Sequence, residues 1–127
     1  MAQTTHSRCA RFAPGPEAPR QARDFLALAC TEWHAEGAAQ DGGLVVSELV
    51  TNAVLHAGTP IDLKLSLSGG RLLIDVRDGA DGLPAIVPPD RRGAGGRGLE
   101  IVSRCSRRWG AASDPRGGKH VWALLDT

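Results

Sequence analysis

The chain has 127 residues, of which 42% are hydrophobic and 23% charged, a balance typical of one globular domain and not of a disordered chain. The formal net charge is +1, which argues against a protein that holds nucleic acid or anionic lipid mainly through bulk charge. No apolar run approaches the roughly 20 residues of a membrane span, and Met1–Arg8 lacks the apolar core of a signal peptide. We therefore expect a protein without a direct nucleic-acid or membrane partner.

The first third of the sequence predicts a strand and an amphipathic helix. Residues 1–8 are expected to be a flexible N-terminus, and Arg8–Phe12 can form a short edge strand. Apolar residues recur with a period of about 3.6 residues over Ala18–Trp33, which indicates a helix with one buried face. Gly37 is expected to end this helix.

A second helix and a hairpin follow. The helix is predicted over about Gly42–Ala57, with Asp41 as its N-cap and Gly58 after its end. The strict alternation of apolar and polar residues over Ile61–Ser68 indicates a strand with one face in water. Gly69-Gly70 then predicts a two-residue hairpin turn into a second strand.

The remaining residues predict a long loop, a short helix and a closing hairpin. Residues 79–98 show no periodicity, and a loop of this length within one domain is often a functional lid. A short helix follows from Leu99, and Arg107–Ser113 and Lys119–Leu125 form the last hairpin. The whole pattern predicts one α+β domain over residues 1–127. Its expected architecture is a two-layer sandwich, with a mixed, mostly antiparallel sheet covered on one face by about three helices.

The three cysteines are odd in number and widely spaced. Cys9, Cys30 and Cys105 include no C-x-x-C pair, which argues against a disulfide framework and a thiolate metal site. We therefore expect a cytoplasmic protein, since the cytoplasm is reducing. Each is expected to be a small buried residue.

The second helix carries a row of polar residues. Glu48, Asn52 and His56 are spaced four residues apart and therefore lie along one side of the helix. Apolar residues border the row on both sides, while Ser47 and Thr51 are expected to face solvent. A carboxylate, an amide and an imidazole between apolar strips are typical of a cleft wall. The alternative is a helix edge with three unrelated polar residues.

Asp78 and a glycine cluster are two further unusual features. Asp78 continues the alternation of Leu72, Ile74 and Val76, so it is expected to face the core and to need a hydrogen-bond donor. The alternative is an Asp that bonds the backbone of the Asp78-Gly79 turn.

The glycine cluster is more typical of phosphate contact than of a dinucleotide-binding motif. Gly93–Gly98 fits G-x-G-x-x-G, but no hydrophobic strand precedes it and the chain is too short for a doubly wound sheet. Small residues before a helix N-terminus do suit contact with a phosphate.

Together these segments resemble the sequence boxes of the GHKL superfamily of ATPases and kinases. Glu48–Ala57 resembles its N-box, Val76–Gly82 its first glycine box, Gly96–Leu99 its second, and Gly118–Ala123 its closing strand. The order and spacing of the boxes match from about residue 10 onward. The short chain is most similar to the anti-sigma-factor serine/threonine kinase branch.

The resemblance implies ATP and Mg²⁺ as ligands. It implies that Asn52 binds Mg²⁺, that Glu48 is the general base or orients the attacking hydroxyl, and that Asp78 accepts a hydrogen bond from the adenine amino group. It also places residues of both glycine boxes at the nucleotide: Gly82, Gly96, Arg97, Gly98 and Leu99. His56 is expected to be a packed residue closing the helix. Ala80 departs from the usual glycine and would narrow the space beside the adenine, and the short, proline-rich lid would enclose the phosphates less completely.

The implied function is an ATP- and Mg²⁺-dependent protein kinase. It would phosphorylate a serine or threonine on an antagonist protein and bind a sigma factor in competition, with homodimer formation left open. The alternative is a non-catalytic nucleotide-binding module that sequesters a sigma factor or another regulator. The ATPase half of a histidine kinase is disfavoured, because no dimerisation helix with a phospho-accepting histidine precedes the domain and His34 is expected to be exposed.

Overall fold

The computed structural model describes residues 4–80 and 98–127, which form a five-stranded sheet and three α-helices. The strands are β1 (His6–Phe12), β2 (Ile61–Ser68), β3 (Arg71–Asp78), β4 (Arg108–Ser113) and β5 (Lys119–Asp126). The helices are α1 (Ala18–Glu32), α2 (Ala39–His56) and α3 (Gly98–Cys105), with a short 3-10 turn at Glu36–Ala38. The sheet order is β1-β2-β3-β5-β4, and every pairing between these strands is antiparallel. The predicted α+β two-layer architecture is confirmed, with an antiparallel sheet in place of the mixed one expected.

The core lies between the helices and one face of the sheet. Alternate residues of β2, β3 and β5 point toward α1 and α2, and α3 packs on α2. The largest fully buried side chains come from both layers: Leu26, Val45, Val46, Leu49, Val50, Ile61, Leu63, Leu65, Leu72, Ile74, Val102 and Leu125. Burial of each such side chain stabilises the fold by about 1.5–3 kcal/mol. A one-residue slip of β2 would move Asp62 and Lys64 into this core, so the burial pattern also determines the strand register.

Two glycines form the predicted tight turn between β2 and β3. Gly69 and Gly70 have φ angles of 59° and 74°, the left-handed conformation that a tight hairpin between β2 and β3 requires. Strand β5 then pairs with β3 so that Lys119 lies directly opposite Asp78. The last residue of β3 and the first of β5 therefore meet at one end of the central strands.

Three boundaries differ from the sequence predictions. Strand β1 begins at His6, so that residues 6–8, expected to be flexible, pair with β2. Helix α1 ends at Glu32 and not at Gly37, because His34 already adopts a φ of 55°. His34 is exposed, as expected. Helix α2 begins at Ala39, so Asp41 lies in its first turn, where its charge favours the helix dipole, and not at the N-cap.

The three cysteines occupy different environments. Cys30 is buried, and burial raises the pKa of its thiol, with a further contribution from the charge of Glu36. Cys105 is half-buried, but Cys9 is exposed on β1, so the prediction of a buried residue is wrong there. Cys9 lies opposite Lys64 of β2, on the face of the sheet away from the helices, where Lys64 is exposed as well.

Across residues 4–80 and 98–127, no helix combines the length and the apolar character needed to cross a membrane.

Candidate functional site

A buried ion pair lies where β3 and β5 meet. Asp78 is 4% exposed and Lys119 is 6% exposed, and Lys119 Nζ donates a hydrogen bond to Asp78 Oδ1 at 3.2 Å. The backbone N–H of Ala80 donates to the same oxygen at 2.9 Å. The inward orientation predicted for Asp78 is confirmed. The turn interpretation also holds, since Asp78 caps the residues that follow β3.

Strand alternation explains why both charges face inward. Asp78 shares the core-facing side of β3 with Val76, and Lys119 shares the core-facing side of β5 with Ala123. A single buried charge costs several kcal/mol, whereas two opposite charges in contact offset part of that cost. Sequence reasoning missed Lys119. The sequence did contain the signal: Lys119 has the same parity along β5 as the buried Ala123 and Leu125, so strand alternation places it on the core-facing side.

Gly118 brings the turn before β5 unusually close to Asp78. A Cβ atom at Gly118 would lie 2.1 Å from the carbonyl oxygen of Asp78, and the φ of Gly118 is 87°. The turn is closed by hydrogen bonds from Asp114 N to Gly118 O and from Gly117 N to Asp114 O, both 3.0 Å. Only glycine fits this approach, so Gly118 allows Lys119 to reach Asp78.

Arg77 holds the same turn from the other face of the sheet. Its Nε donates to Asp114 Oδ2 at 2.7 Å and its Nη2 donates to Gly117 O at 2.8 Å. Hydrogen bonds from the backbone N–H of Arg116 and from the Arg77 side chain hold the pKa of Asp114 well below its ordinary value. The consecutive residues Arg77 and Asp78 therefore hold the turn between β4 and β5 from opposite faces of the sheet, Arg77 through the turn itself and Asp78 through Lys119 at its end.

We expect Gly118→Ala to destabilise the protein more than Gly117→Ala. Both glycines have positive φ, 87° and 93°, so both variants carry backbone strain, but only at Gly118 does the added methyl overlap the backbone of Asp78. The extra loss in the free energy of unfolding should be about 1–3 kcal/mol, measured by urea denaturation. Equal losses in the two variants would contradict the close approach.

The polar row of α2 is only partly enclosed. Glu48 and Asn52 are half-buried, next to the buried Val45 and Leu49. The apolar strip on the other side of the row consists of Leu44 and Leu55, which are 47% and 71% exposed. Among the described residues, a buried apolar strip therefore borders the row on one side only.

Three other residues of α2 differ from expectation. His56 is exposed at the last position of the helix, so it is not the packed residue that was predicted. Ser47 and Thr51, expected in solvent, are half-buried, and Ser47 accepts a hydrogen bond from Arg23 of α1 at 2.9 Å. The contact with α1 accounts for the position of Ser47.

The two glycine boxes are described only in part. Gly82, Gly96 and Arg97 lie outside the described residues. Helix α3 begins at Gly98, close to the predicted start, and Leu99 is half-buried. Hydrogen bonds between described residues join Asp78 to Lys119 and Ala80, and they do not join it to Glu48 or Asn52.

The face of the sheet opposite the helices, called the open face below, carries a separate groove of about 550 Å³. Its polar and charged residues bond one another across strands: Arg11 donates to Asp62 at 2.7 Å, and the His120 ring hydrogen-bonds with Asp75 at 3.3 Å. The Arg11 hydrogen bond is the main cause that lowers the pKa of Asp62. This groove lies on the face opposite Asp78, so it is not part of the same site.

One family of proteins matches almost the whole fold. The model of the histidine kinase-like ATPase domain family matches residues 12–124, from the end of β1 to β5. The chain belongs to this family. No curated protein matches the chain significantly. As a histidine kinase-like ATPase domain, the protein has an ATP-binding regulatory function, and the predicted GHKL-type ATPase is confirmed.

The residues of this histidine kinase-like ATPase domain fit one mode of Mg²⁺ binding. In the part of the chain that the structure describes, no group of three or more His, Cys, Asp and Glu side chains could hold a metal ion. Mg²⁺ at nucleotide sites usually takes one or two protein oxygens and completes its shell with phosphate oxygens and water. The amide oxygen of the half-buried Asn52 suits that role.

Proposed function

We propose that this ATPase domain is a serine/threonine kinase of the anti-sigma-factor type. It transfers the γ-phosphoryl group of ATP to an antagonist protein and binds a sigma factor in competition, in the cytoplasm. The observation that carries the proposal is the buried carboxylate of Asp78, which faces the core at the end of β3, within the segment that resembles the first glycine box.

Asp78 is suited to recognise the base of the nucleotide. An ionised carboxylate only accepts hydrogen bonds, and its two oxygens offer about four acceptor positions. The donors from Lys119 and Ala80 both bond Oδ1. The carboxylate therefore has the capacity to accept a hydrogen from the adenine amino group as well.

Residues of α2 and α3 would act on the phosphates. Asn52 would hold Mg²⁺, which when bound neutralises phosphate charge. Helix α3 begins at Gly98, inside the segment that resembles the second glycine box, and the partial positive charge at its N-terminus would favour a phosphate there. Gly82, Gly96, Arg97, Gly98 and Leu99 remain predicted nucleotide contacts.

Glu48 would act on the attacking hydroxyl. Glu48 and Asn52 are one turn apart on α2, about 6 Å along the helix axis, which places a carboxylate beside the metal-binding amide. In the step we propose, the substrate hydroxyl gives its proton to Glu48 while its oxygen bonds the γ-phosphorus. The bond from that phosphorus to the bridging oxygen breaks, and ADP leaves.

Transfer of labelled phosphate tests this function. The purified chain is incubated with Mg²⁺, γ-labelled ATP and candidate antagonist proteins, and label on a serine or threonine of the antagonist is the expected result. A copy of the antagonist with alanine at the labelled position serves as the control. ATP binding without transfer to any antagonist would instead identify the sequestering module.

Asn52→Ala is expected to remove the effect of Mg²⁺ on ATP affinity. Loss of an outer-shell partner already costs roughly 10–100-fold in metal affinity, so loss of a direct ligand should cost at least as much. The control is Thr51→Ala, since the Thr51 hydroxyl bonds Ser47 O within the helix. ATP titrations with and without Mg²⁺ measure the effect. The same ATP affinity under both conditions in the wild type would rule out this role for Asn52.

A further inference from the structure

The ammonium of Lys119 is buried next to the carboxylate proposed to bind the base. We propose that Lys119 is a second base-contacting residue, which donates a hydrogen bond to the ring nitrogen N1 of adenine while Asp78 accepts the hydrogen of the neighbouring amino group. The inference rests on the proposed ATP site and adds a specificity-determining residue to it.

The position of Lys119 supports this role. It lies directly opposite Asp78 in the pairing of β3 with β5, and its Nζ is 3.2 Å from Asp78 Oδ1. A ligand group that reaches Asp78 therefore also comes within reach of the ammonium. Lys119 is 6% exposed, so its stem is enclosed and the charged head is confined to this site.

The hydrogen-bonding capacity of the ammonium points to a ligand acceptor. An ammonium has three donors and no acceptor. Among the residues described, Nζ makes one hydrogen bond, to Asp78 Oδ1. A base that displaces water from the site would leave the other two N–H groups without partners unless it presents an acceptor there.

The edge of adenine has the complementary pattern. Its amino group donates, and the adjacent N1 accepts, so the pair of Asp78 and Lys119 meets a donor and an acceptor side by side. Guanine reverses both groups, with a carbonyl oxygen at position 6 and an N–H at position 1. In this arrangement each residue would face a group of its own kind, which makes Lys119 a second source of discrimination.

Calorimetry with altered nucleotides tests the contact on the wild-type chain. One analogue is 1-deaza-ATP, in which a C–H replaces N1 and the amino group is kept. If Lys119 donates to N1, this analogue should bind about tenfold to a hundredfold more weakly than ATP, the usual worth of a hydrogen bond to a charged group. Equal binding of the two nucleotides would overturn the role of Lys119 and leave the ATP site in place. No binding of ATP at all would overturn the proposed function and this inference with it.

Substitution of the lysine completes a double-mutant cycle. Lys119→Met should bind ATP more weakly by a similar factor and should no longer distinguish ATP from 1-deaza-ATP. The control is Lys64→Met, an exposed lysine on β2 that should keep the wild-type ratio. A Lys119→Met variant that keeps the wild-type ratio would show that the ion pair serves the fold alone. Because loss of Lys119 leaves Asp78 buried without its partner, the analogue comparison on the wild type decides the matter if this variant fails to fold.

Discussion

Glu48→Gln is expected to keep the ATP affinity of the wild type and to slow phosphoryl transfer by about 10²- to 10⁴-fold. Glutamine has the same shape as glutamate but cannot take the proton of the attacking hydroxyl. Since Glu48 is half-buried on the side of α2 that also carries Asn52, the substitution should not disturb the core. Transfer rates with a phosphorylatable antagonist and calorimetric ATP titrations measure the two effects separately.

A matched control is available for this prediction. Glu36 is exposed in the short 3-10 turn before α2, so Glu36→Gln changes the same charge away from the proposed site. We expect this variant to retain wild-type transfer. Full transfer activity in Glu48→Gln would remove Glu48 from the mechanism.

Asp78 is expected to make the wild type prefer ATP to GTP by about a hundredfold or more. The carboxylate can accept the adenine amino hydrogen, but it would face the carbonyl oxygen of guanine, and two acceptors repel each other and leave a buried charge unpaired. Asp78→Asn should reduce the preference strongly, because an amide offers both a donor and an acceptor. Calorimetry with both nucleotides measures the preference.

Asp78→Ala should have a larger effect that combines binding and folding. It removes the acceptor for the base and leaves the ammonium of Lys119 buried and unpaired, which typically costs about 3–5 kcal/mol of stability. The control is Asp75→Asn. Asp75 lies three residues earlier on β3, on the open face of the sheet opposite the helices, where it hydrogen-bonds with His120. Equal affinity of the wild type for ATP and GTP would leave Asp78 as a turn residue and partner of Lys119 only.

Local patterns were sufficient for much of the fold. The period of apolar residues predicted α1, and start and stop signals predicted most of α2. The alternation from Leu72 to Val76 predicted that Asp78 faces the core. The glycine pair at positions 69 and 70 predicted the tight turn between β2 and β3. These features depend on neighbouring residues, whose spacing determines which side chains share a face.

The ends of elements were less predictable. Several residues near the end of a helix can adopt the left-handed conformation that terminates it. At α1 this conformation is adopted by His34, three residues before Gly37, which was expected to end the helix. Helix α2 likewise begins at Ala39, before the aspartate expected to cap it. Preferences for such positions are small compared with tertiary packing.

The sequence by itself determined the order of the elements, the sides of the strands that face the core, and the boxes by which the family resemblance was found. Only the tertiary structure decided which strands pair, and so that Lys119 lies against Asp78, a residue 41 positions earlier. It also decided that His56, Leu44 and Leu55 are exposed, because the faces of α2 that become buried depend on where α1, α3 and the sheet pack. The physical reason is the same in both cases. The spacing of residues along a helix or strand determines the face on which each side chain lies. The partner of that side chain and its burial depend on the elements that pack beside it.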